Sequence, residues 1–391
     1  MLTKNIELKN FKKIKYIKEV KNTVFDLKKS IQSNLDLFLF SLTNKYKNNF
    51  NNKDLKKFKK FNKYTLVGMG GSSLGAKAIY SFLRHKIKKK FEFIDNLRIN
   101  RKLEKDKKNL NIIISKSGNT LETVLNFNSL KKKNSIFITE KKNNFLRDIA
   151  NELKSEIYKH QNYIGGRYSV LSETGMLPAA LMGLNIKNFK QLNSIINNKN
   201  FVNQLVTNVS CILEFHKNKK TNSIILNYDE SSKDLFYWYQ QLVAESLGKK
   251  SKGILPIVSA MPKDNHSLMQ LYLDGTKNNF FTFFMVEEKI SNKINKKYLP
   301  EEYSFLHNKK SFDILKAQFQ ATQNIFKIKK IPFRSFVIKK RDEKVLGELF
   351  CFFILETILL GKALRLNPFD QPEVELIKKE TNKILKSSFQ K

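Results

Sequence analysis

The sequence predicts an α/β protein of two domains, each a mainly parallel sheet flanked by helices. Three observations predict it. The chain has 391 residues, too many for one ordinary core and suited to two domains of roughly 150 residues each with extra segments. Short apolar runs rich in β-branched residues alternate with helix-compatible stretches, which is the pattern of βαβ units. That alternation begins near residue 61, gives way to a helical region near 188–216, and then begins again.

Taken in order, residues 1–60 read as a polar, helical N-terminal segment with no recognisable chemistry. A first domain is expected over 61–200, with strands at 64–68, 111–115 and 135–139. A second is expected over 201–391, with strands at 223–227, 254–258, 280–286 and 333–338. The most apolar stretch, 345–360, contains Glu348 and Glu356; it is too short and too charged to span a bilayer and predicts a buried helix. A last helix begins after Asp370. No low-complexity linker separates the halves, so they should pack tightly.

Composition narrows the function class. The net charge of +38 includes basic runs at 56–60, 86–90 and 131–133. The excess is mostly Lys, is spread along the whole chain and travels with abundant Asn and Ile. A nucleic-acid binder would concentrate basic residues on one element with aromatics between them, so nucleic acid is not expected as a partner. A positive surface still attracts anionic substrates. Cys211 and Cys351 are far apart in apolar runs, as buried reduced thiols of a cytoplasmic protein would be. Residues 1–21 alternate charge with single apolar residues, unlike a secretory leader, and no membrane association is expected.

Two loops carry phosphate-binding chemistry. The strand at 64–68 runs into Gly68-Met69-Gly70-Gly71-Ser72-Ser73-Leu74-Gly75. Glycines let the backbone approach an anion, and the helix that follows presents free N–H groups. A dinucleotide fingerprint is the rival, with Asp95 ending a plausible second strand. Its third glycine would fall where Ser73 stands. The strand at 111–115 ends in Ser115-Lys116-Ser117-Gly118-Asn119-Thr120, at the carboxyl edge where open α/β sheets bind ligands. Ser115, Ser117 and Thr120 can donate to phosphate oxygens and Lys116 supplies charge; the alternative is an N-cap by Ser117 or Asn119 with Lys116 solvated.

Four further segments carry candidate catalytic groups. Gly165-Gly166-Arg167 allows a guanidinium to come close to a ligand, or to form a structural ion pair. In a helix expected over 233–249, Leu235, Trp238, Leu242 and Glu245 fall on one apolar stripe with Gln241 beside it. A carboxylate on a buried face is unfavourable unless paired, so Glu245 is either a functional group or half of a core salt bridge. His266, one of only five histidines, follows a strand and a proline-containing loop. In the last helix Val374, Ile377, Thr381 and Leu385 form an apolar stripe, and Lys378 lies on its edge.

In these segments the chain resembles phosphoglucose isomerases, from about residue 64 onward. The carrying motifs are GMGGSSLG, SKSGNTLET, GGRYSVLS, AESLGK, the His266 segment and DQPEVELIK. GGRYS and DQPEVELIK in this order are specific; the glycine loop is not. The resemblance implies two sugar-isomerase (SIS) domains of flavodoxin-like type in a homodimer. It implies that Gly71, Ser72, Ser115, Lys116, Ser117 and Thr120 hold the sugar phosphate, with Gln241 and Gln371 also at the substrate. Glu245 would shuttle a proton between C1 and C2, Arg167 would stabilise the enediolate, and His266 with Lys378 would open the ring. His266 would enter from the partner subunit. No metal and no organic cofactor is implied.

The chemistry is coherent. Aldose–ketose isomerisation removes a proton from carbon and leaves a negative enediolate, so it suits one carboxylate base and one fixed guanidinium. The chain is short for the family. Its SGNT resembles the bifunctional phosphoglucose/phosphomannose isomerases, whereas Gln371 matches the single-substrate enzymes. The expected activity is interconversion of glucose 6-phosphate and fructose 6-phosphate. The alternatives are the bifunctional enzyme and a non-catalytic sugar-phosphate-binding regulator.

Overall fold

The computed structural model describes residues 1–11, 16–32, 37–97, 108–130, 134–288 and 291–388; the basic run at 131–133 lies outside the described residues. Among the described residues, ten strands form two five-stranded sheets. In the first, β2 (Lys63–Val67), β3 (Lys90–Ile94), β4 (Asn109–Ile114), β5 (Ser135–Thr139) and β6 (Glu156–Lys159) are all parallel, in the order β3-β2-β4-β5-β6. The second holds β1 (Ile6–Lys9), β7 (Asn222–Asn227), β8 (Leu255–Ala260), β9 (Asn279–Val286) and β10 (Phe333–Ile338), in the order β1-β10-β9-β7-β8. β1 alone runs antiparallel, against β10.

The central strands form where continuous apolar runs can be covered on both faces, as parallel sheets require. β5 (SIFIT) and β9 (NFFTFFMV) are buried along their whole length. The strands missed in the sequence are the polar or short ones at the edges. β6 mixes Glu156 and Lys159 with its apolar residues, and β1 has only four residues. An all-helical N-terminal segment is therefore corrected. Ile6 and Leu8 are buried while Glu7 and Lys9 alternate with them, a period-two pattern too brief to stand out.

The two sheets share one arrangement despite having no visible sequence repeat. In each, the first strand (β2 or β7) lies between the second and third, so the strand order reverses there. Each first strand leads through a 3-10 turn, Gly70–Ser72 or Glu230–Ser232, into a helix, Leu74–Phe82 or Lys233–Leu247. Those two helices pack on each other and join the halves in one continuous core. Helix Glu343–Ala363 is buried throughout most of its length. Its Glu356 is paired with Arg334 and accepts a bond from the Tyr239 hydroxyl at 3.0 Å, with both ionic side chains fully buried. Glu348 accepts from Thr3 at 2.7 Å, and burial pushes its carboxyl above the usual range. Cys211 and Cys351 are buried and form no disulfide. Among the described residues no helix is long and apolar enough to cross a membrane.

The last helix, Pro372–Ser388, departs from expectation. Every described side chain from 372 to 387 is exposed, including Val374 and Ile377 of its apolar stripe. Lys378 is consequently not sheltered at the edge of a core: its side chain is 61% exposed and its ammonium bonds Glu375 at 2.6 Å.

Candidate active site

Two glycine loops meet in backbone contact at the carboxyl end of the first sheet. A Cβ placed on Gly71 would lie 2.2 Å from the Gly166 carbonyl and 2.7 Å from the Arg167 nitrogen. Glycine at 71 therefore serves the close approach of these loops, and through it the delivery of Arg167. A Cβ on Gly70 (φ +53°) would lie 2.6 Å from Gln241 Nε2, so the same turn also touches helix Lys233–Leu247.

Arg167 is the centre of the site. It is 2% exposed and all five of its N–H groups are bonded. Nε donates to Ser246 Oγ (2.8 Å), Nη1 to Glu245 Oε2 (3.1 Å) and Gln371 Oε1 (2.7 Å), and Nη2 to the carbonyls of Pro368 (2.7 Å) and Asp370 (3.0 Å). The other Glu245 oxygen accepts from Gln241 at 2.7 Å. The stripe that should bury Glu245 is buried at Leu235, Trp238 and Leu242, but the Glu245 side chain keeps 28% exposure. At this turn one side of the helix stays in the core at Leu247 while the helix also meets the glycine loops. The carboxylate is thus held from one side and open on the other.

The second loop forms beside the first, since β2 and β4 are neighbours and a Cβ on Gly68 would lie 3.0 Å from the Ile114 carbonyl. Ser115 and Thr120 share a hydrogen bond of 2.9 Å, and Gly118 donates its N–H to Ser115 Oγ at 3.2 Å. Gly118 has φ +70°, and a Cβ there would strike Asn144 Oδ1 at 1.8 Å. Thr120 holds the N-cap position of helix Leu121–Asn128 without a capping bond, and Asn119 bonds Phe145 N instead. Neither Ser117 nor Asn119 is the cap. Ser117 is exposed, and its hydroxyl accepts from Asn119 N at 3.3 Å; Ser72 ends the 3-10 turn, half-buried. Lys116 is not free, although a third of its side chain is exposed: Nζ donates to the Asn162 carbonyl at 2.7 Å and sits 3.6 Å from Glu140.

The profile of the family described as "Phosphoglucose isomerase" matches residues 51–391. The chain belongs to the phosphoglucose isomerase family. Among its relatives, a glucose-6-phosphate isomerase of Campylobacter jejuni is 32% identical over 350 residues, covering 82% of this chain and 85% of that one. One from Methanocaldococcus jannaschii is 31% identical over 347 residues, covering 82% and 84%. In fold, the chain is similar to a hypothetical protein of Thermus thermophilus (TM-score 0.80, 23% identity, 94% of each chain). It is also similar to a glucose-6-phosphate isomerase of Chlamydia trachomatis (TM-score 0.68, 19% identity, 85% and 72%).

Of the residues that resemblance to phosphoglucose isomerases selects, the structure bonds Arg167, Gln241, Glu245 and Gln371 into one cluster, with Gly71 behind it. Ser115, Lys116, Ser117 and Thr120 form the neighbouring loop. His266, exposed at the end of the 3-10 turn Lys263–His266, and Lys378 have no hydrogen bond or ion pair to either group among the described residues. Sequence reasoning missed Ser246 and Tyr168. Both stand inside quoted phosphoglucose isomerase motifs, AESLGK and GGRYS, but a buried hydroxyl announces nothing until its partner is known. It also missed His160, 1% exposed near Lys116, whose imidazole burial pushes down to about 4.

Proposed function

We propose that this chain interconverts glucose 6-phosphate and fructose 6-phosphate through an enediolate, with Glu245 as the base that moves the proton between C1 and C2. The observation that carries this reading is the half-held carboxylate of Glu245, bonded by Arg167 and Gln241 and still reached by solvent. Arg167 has no spare donor in this state, so its Nη1 must change partner during the reaction. Proton transfer supplies the reason. Protonation removes the negative charge that holds Nη1, just as charge appears on the sugar oxygens. The guanidinium then favours the enediolate over the neutral ground state, which is what lowers a barrier.

The sugar phosphate is taken by Gly71 and Ser72 with the Ser115–Thr120 loop, Lys116 contributing a fixed charge rather than a mobile one. Gln241 and Gln371 line the same place. His266 and Lys378 open the ring, His266 entering from a second subunit, and dimerisation also covers the apolar face of helix Pro372–Ser388. We assign the first sheet to a domain over 61–200 and the second to 201–391 plus β1. The two buried cysteines, neither in a disulfide, suit the cytoplasm. The test is direct. Purified protein given fructose 6-phosphate with a glucose 6-phosphate dehydrogenase couple should reduce the nicotinamide, and mannose 6-phosphate in parallel reads the dual specificity. No reduction with fructose 6-phosphate would remove the reading.

A further inference from the structure

We infer that Ser246 and Tyr168 are positioning residues that lock the Arg167 guanidinium through a closed ring of hydrogen bonds. The inference rests on Arg167 being the group that stabilises the enediolate. The directions of the bonds follow from proton counting. The Tyr168 hydroxyl lies 2.8 Å from the Pro368 carbonyl, which can only accept, so the single phenolic proton is spent there. Tyr168 Oη also lies 2.8 Å from Ser246 Oγ, and in that bond Ser246 must be the donor. Ser246 Oγ in turn accepts from Arg167 Nε at 2.8 Å. The Pro368 carbonyl closes the circuit by accepting from Arg167 Nη2 at 2.7 Å, which fills its second lone pair.

Three of the four bonds run in series, from Nε through Ser246 and Tyr168 to the Pro368 carbonyl, and the fourth, donated by Nη2, ends on that same oxygen. Ser246 is 0% exposed, Tyr168 2% and Arg167 2%, so no water competes. Bonds aligned in series in a dry setting strengthen one another. The ring grips the inner edge of the guanidinium and leaves Nη1, the nitrogen facing Glu245 and Gln371, as the one that can change partner. It also ties three separate segments together: the Gly165-Gly166 loop, the helix of Glu245, and the chain just before Gln371. A guanidinium lacking this grip could follow Glu245 instead of staying where the enediolate forms.

Three variants test it: Ser246→Ala, Tyr168→Phe and the double variant. The Tyr168 ring packs between Phe38 (5.6 Å) and Phe369 (5.7 Å), so Tyr168→Phe keeps the packing and removes only the hydroxyl. Steady-state kinetics with fructose 6-phosphate should show kcat lowered about tenfold or more in Ser246→Ala and less in Tyr168→Phe, with KM within about twofold of wild type. The double variant should be no slower than Ser246→Ala, because the ring is already open. Wild-type kcat in Tyr168→Phe, losses confined to KM, or losses that multiply in the double variant would each overturn the inference. Should Ser246→Ala fail to fold, Tyr168→Phe alone decides. Arg167→Ala separates the two levels: if it keeps wild-type kcat the reading of Arg167 fails, whereas if it is inactive beside fully active ring variants only the ring fails.

Discussion

Glu245 Oε2 lies 3.1 Å from Arg167 Nη1, and it is the only anionic oxygen among the described partners of that guanidinium. The remaining partners are a hydroxyl, an amide oxygen and two backbone carbonyls. Arg167 is therefore fixed mainly by neutral groups and only tuned by Glu245. This asymmetry lets the protonation state of one carboxylate alter the guanidinium without dismantling its seat.

Replacing Glu245 with Gln keeps an acceptor for Arg167 and removes the base. Folding and sugar-phosphate binding should survive, while kcat should fall about 10²–10⁴-fold, the usual range for losing a general base. Deuterium at C2 of glucose 6-phosphate should wash into solvent with wild type and stay in place with Glu245→Gln. Exchange at the wild-type rate in the variant would make Glu245 a structural carboxylate.

Gly71→Ala should be far more damaging to activity than its single methyl suggests. The new carbon would sit 2.2 Å from the Gly166 carbonyl, and the loop carrying Arg167 must move to admit it. A displacement of about 1 Å at a reacting centre can reduce rate about 10²-fold. Kinetics beside a thermal melt check this. Wild-type kcat/KM in a folded Gly71→Ala protein would show that the loops separate harmlessly.

His266 and Glu245 should complement each other between subunits. Mixing His266→Ala with Glu245→Ala proteins should return part of the activity, since some mixed dimers hold one intact site. Subunit exchange is followed by mass labelling. Exchange without any recovered activity would place His266 outside a shared site.

Lys190 should impose a pH dependence on stability. Its amine is buried between the carbonyls of Ser41 and Leu171, and burial pushes its pKa from 10.5 down to about 7. Between those values the unfolded chain binds the proton and the folded one does not, so stability rises with pH from about 7 to 10.5. Below about 7 the folded state carries the full penalty of a buried charge. Thermal melts of Lys190→Met across that range should show a shallower rise than wild type. Parallel slopes for the two proteins would mean that Lys190 does not titrate there.

Much of this architecture was legible in the sequence because parallel strands are written as unbroken apolar runs. Those of β4, β5 and β9 could be seen without their neighbours. The loops after β2 and β4 were legible for a related reason, since glycines and hydroxyls cluster where strands turn into helices. What could not be read depends on partners far along the chain. Nothing local to Lys116 shows that Asn162 and Glu140 hold it, and nothing in AESLGK shows that Ser246 meets Tyr168. Helical periodicity placed Lys378 beside an apolar stripe, but periodicity reports a face and not what covers it.

The antiparallel seating of β1 has a consequence for how the molecule is made. Ile6 pairs with Ile338, so β1 waits for about 330 more residues to be made before its partner exists. At roughly 5–20 residues per second that wait lasts on the order of tens of seconds. The first sheet, whose strands end at Lys159, can be complete well before then. Joining ends so distant also carries a chain-entropy penalty of about 5 kcal/mol on a logarithmic loop-closure scale. The pairing of β1 with β10 thus comes late, after the first sheet can already stand. A shortened gene starting at codon 201 would yield a second half whose β10 is a bare edge, and bare edges recruit other chains.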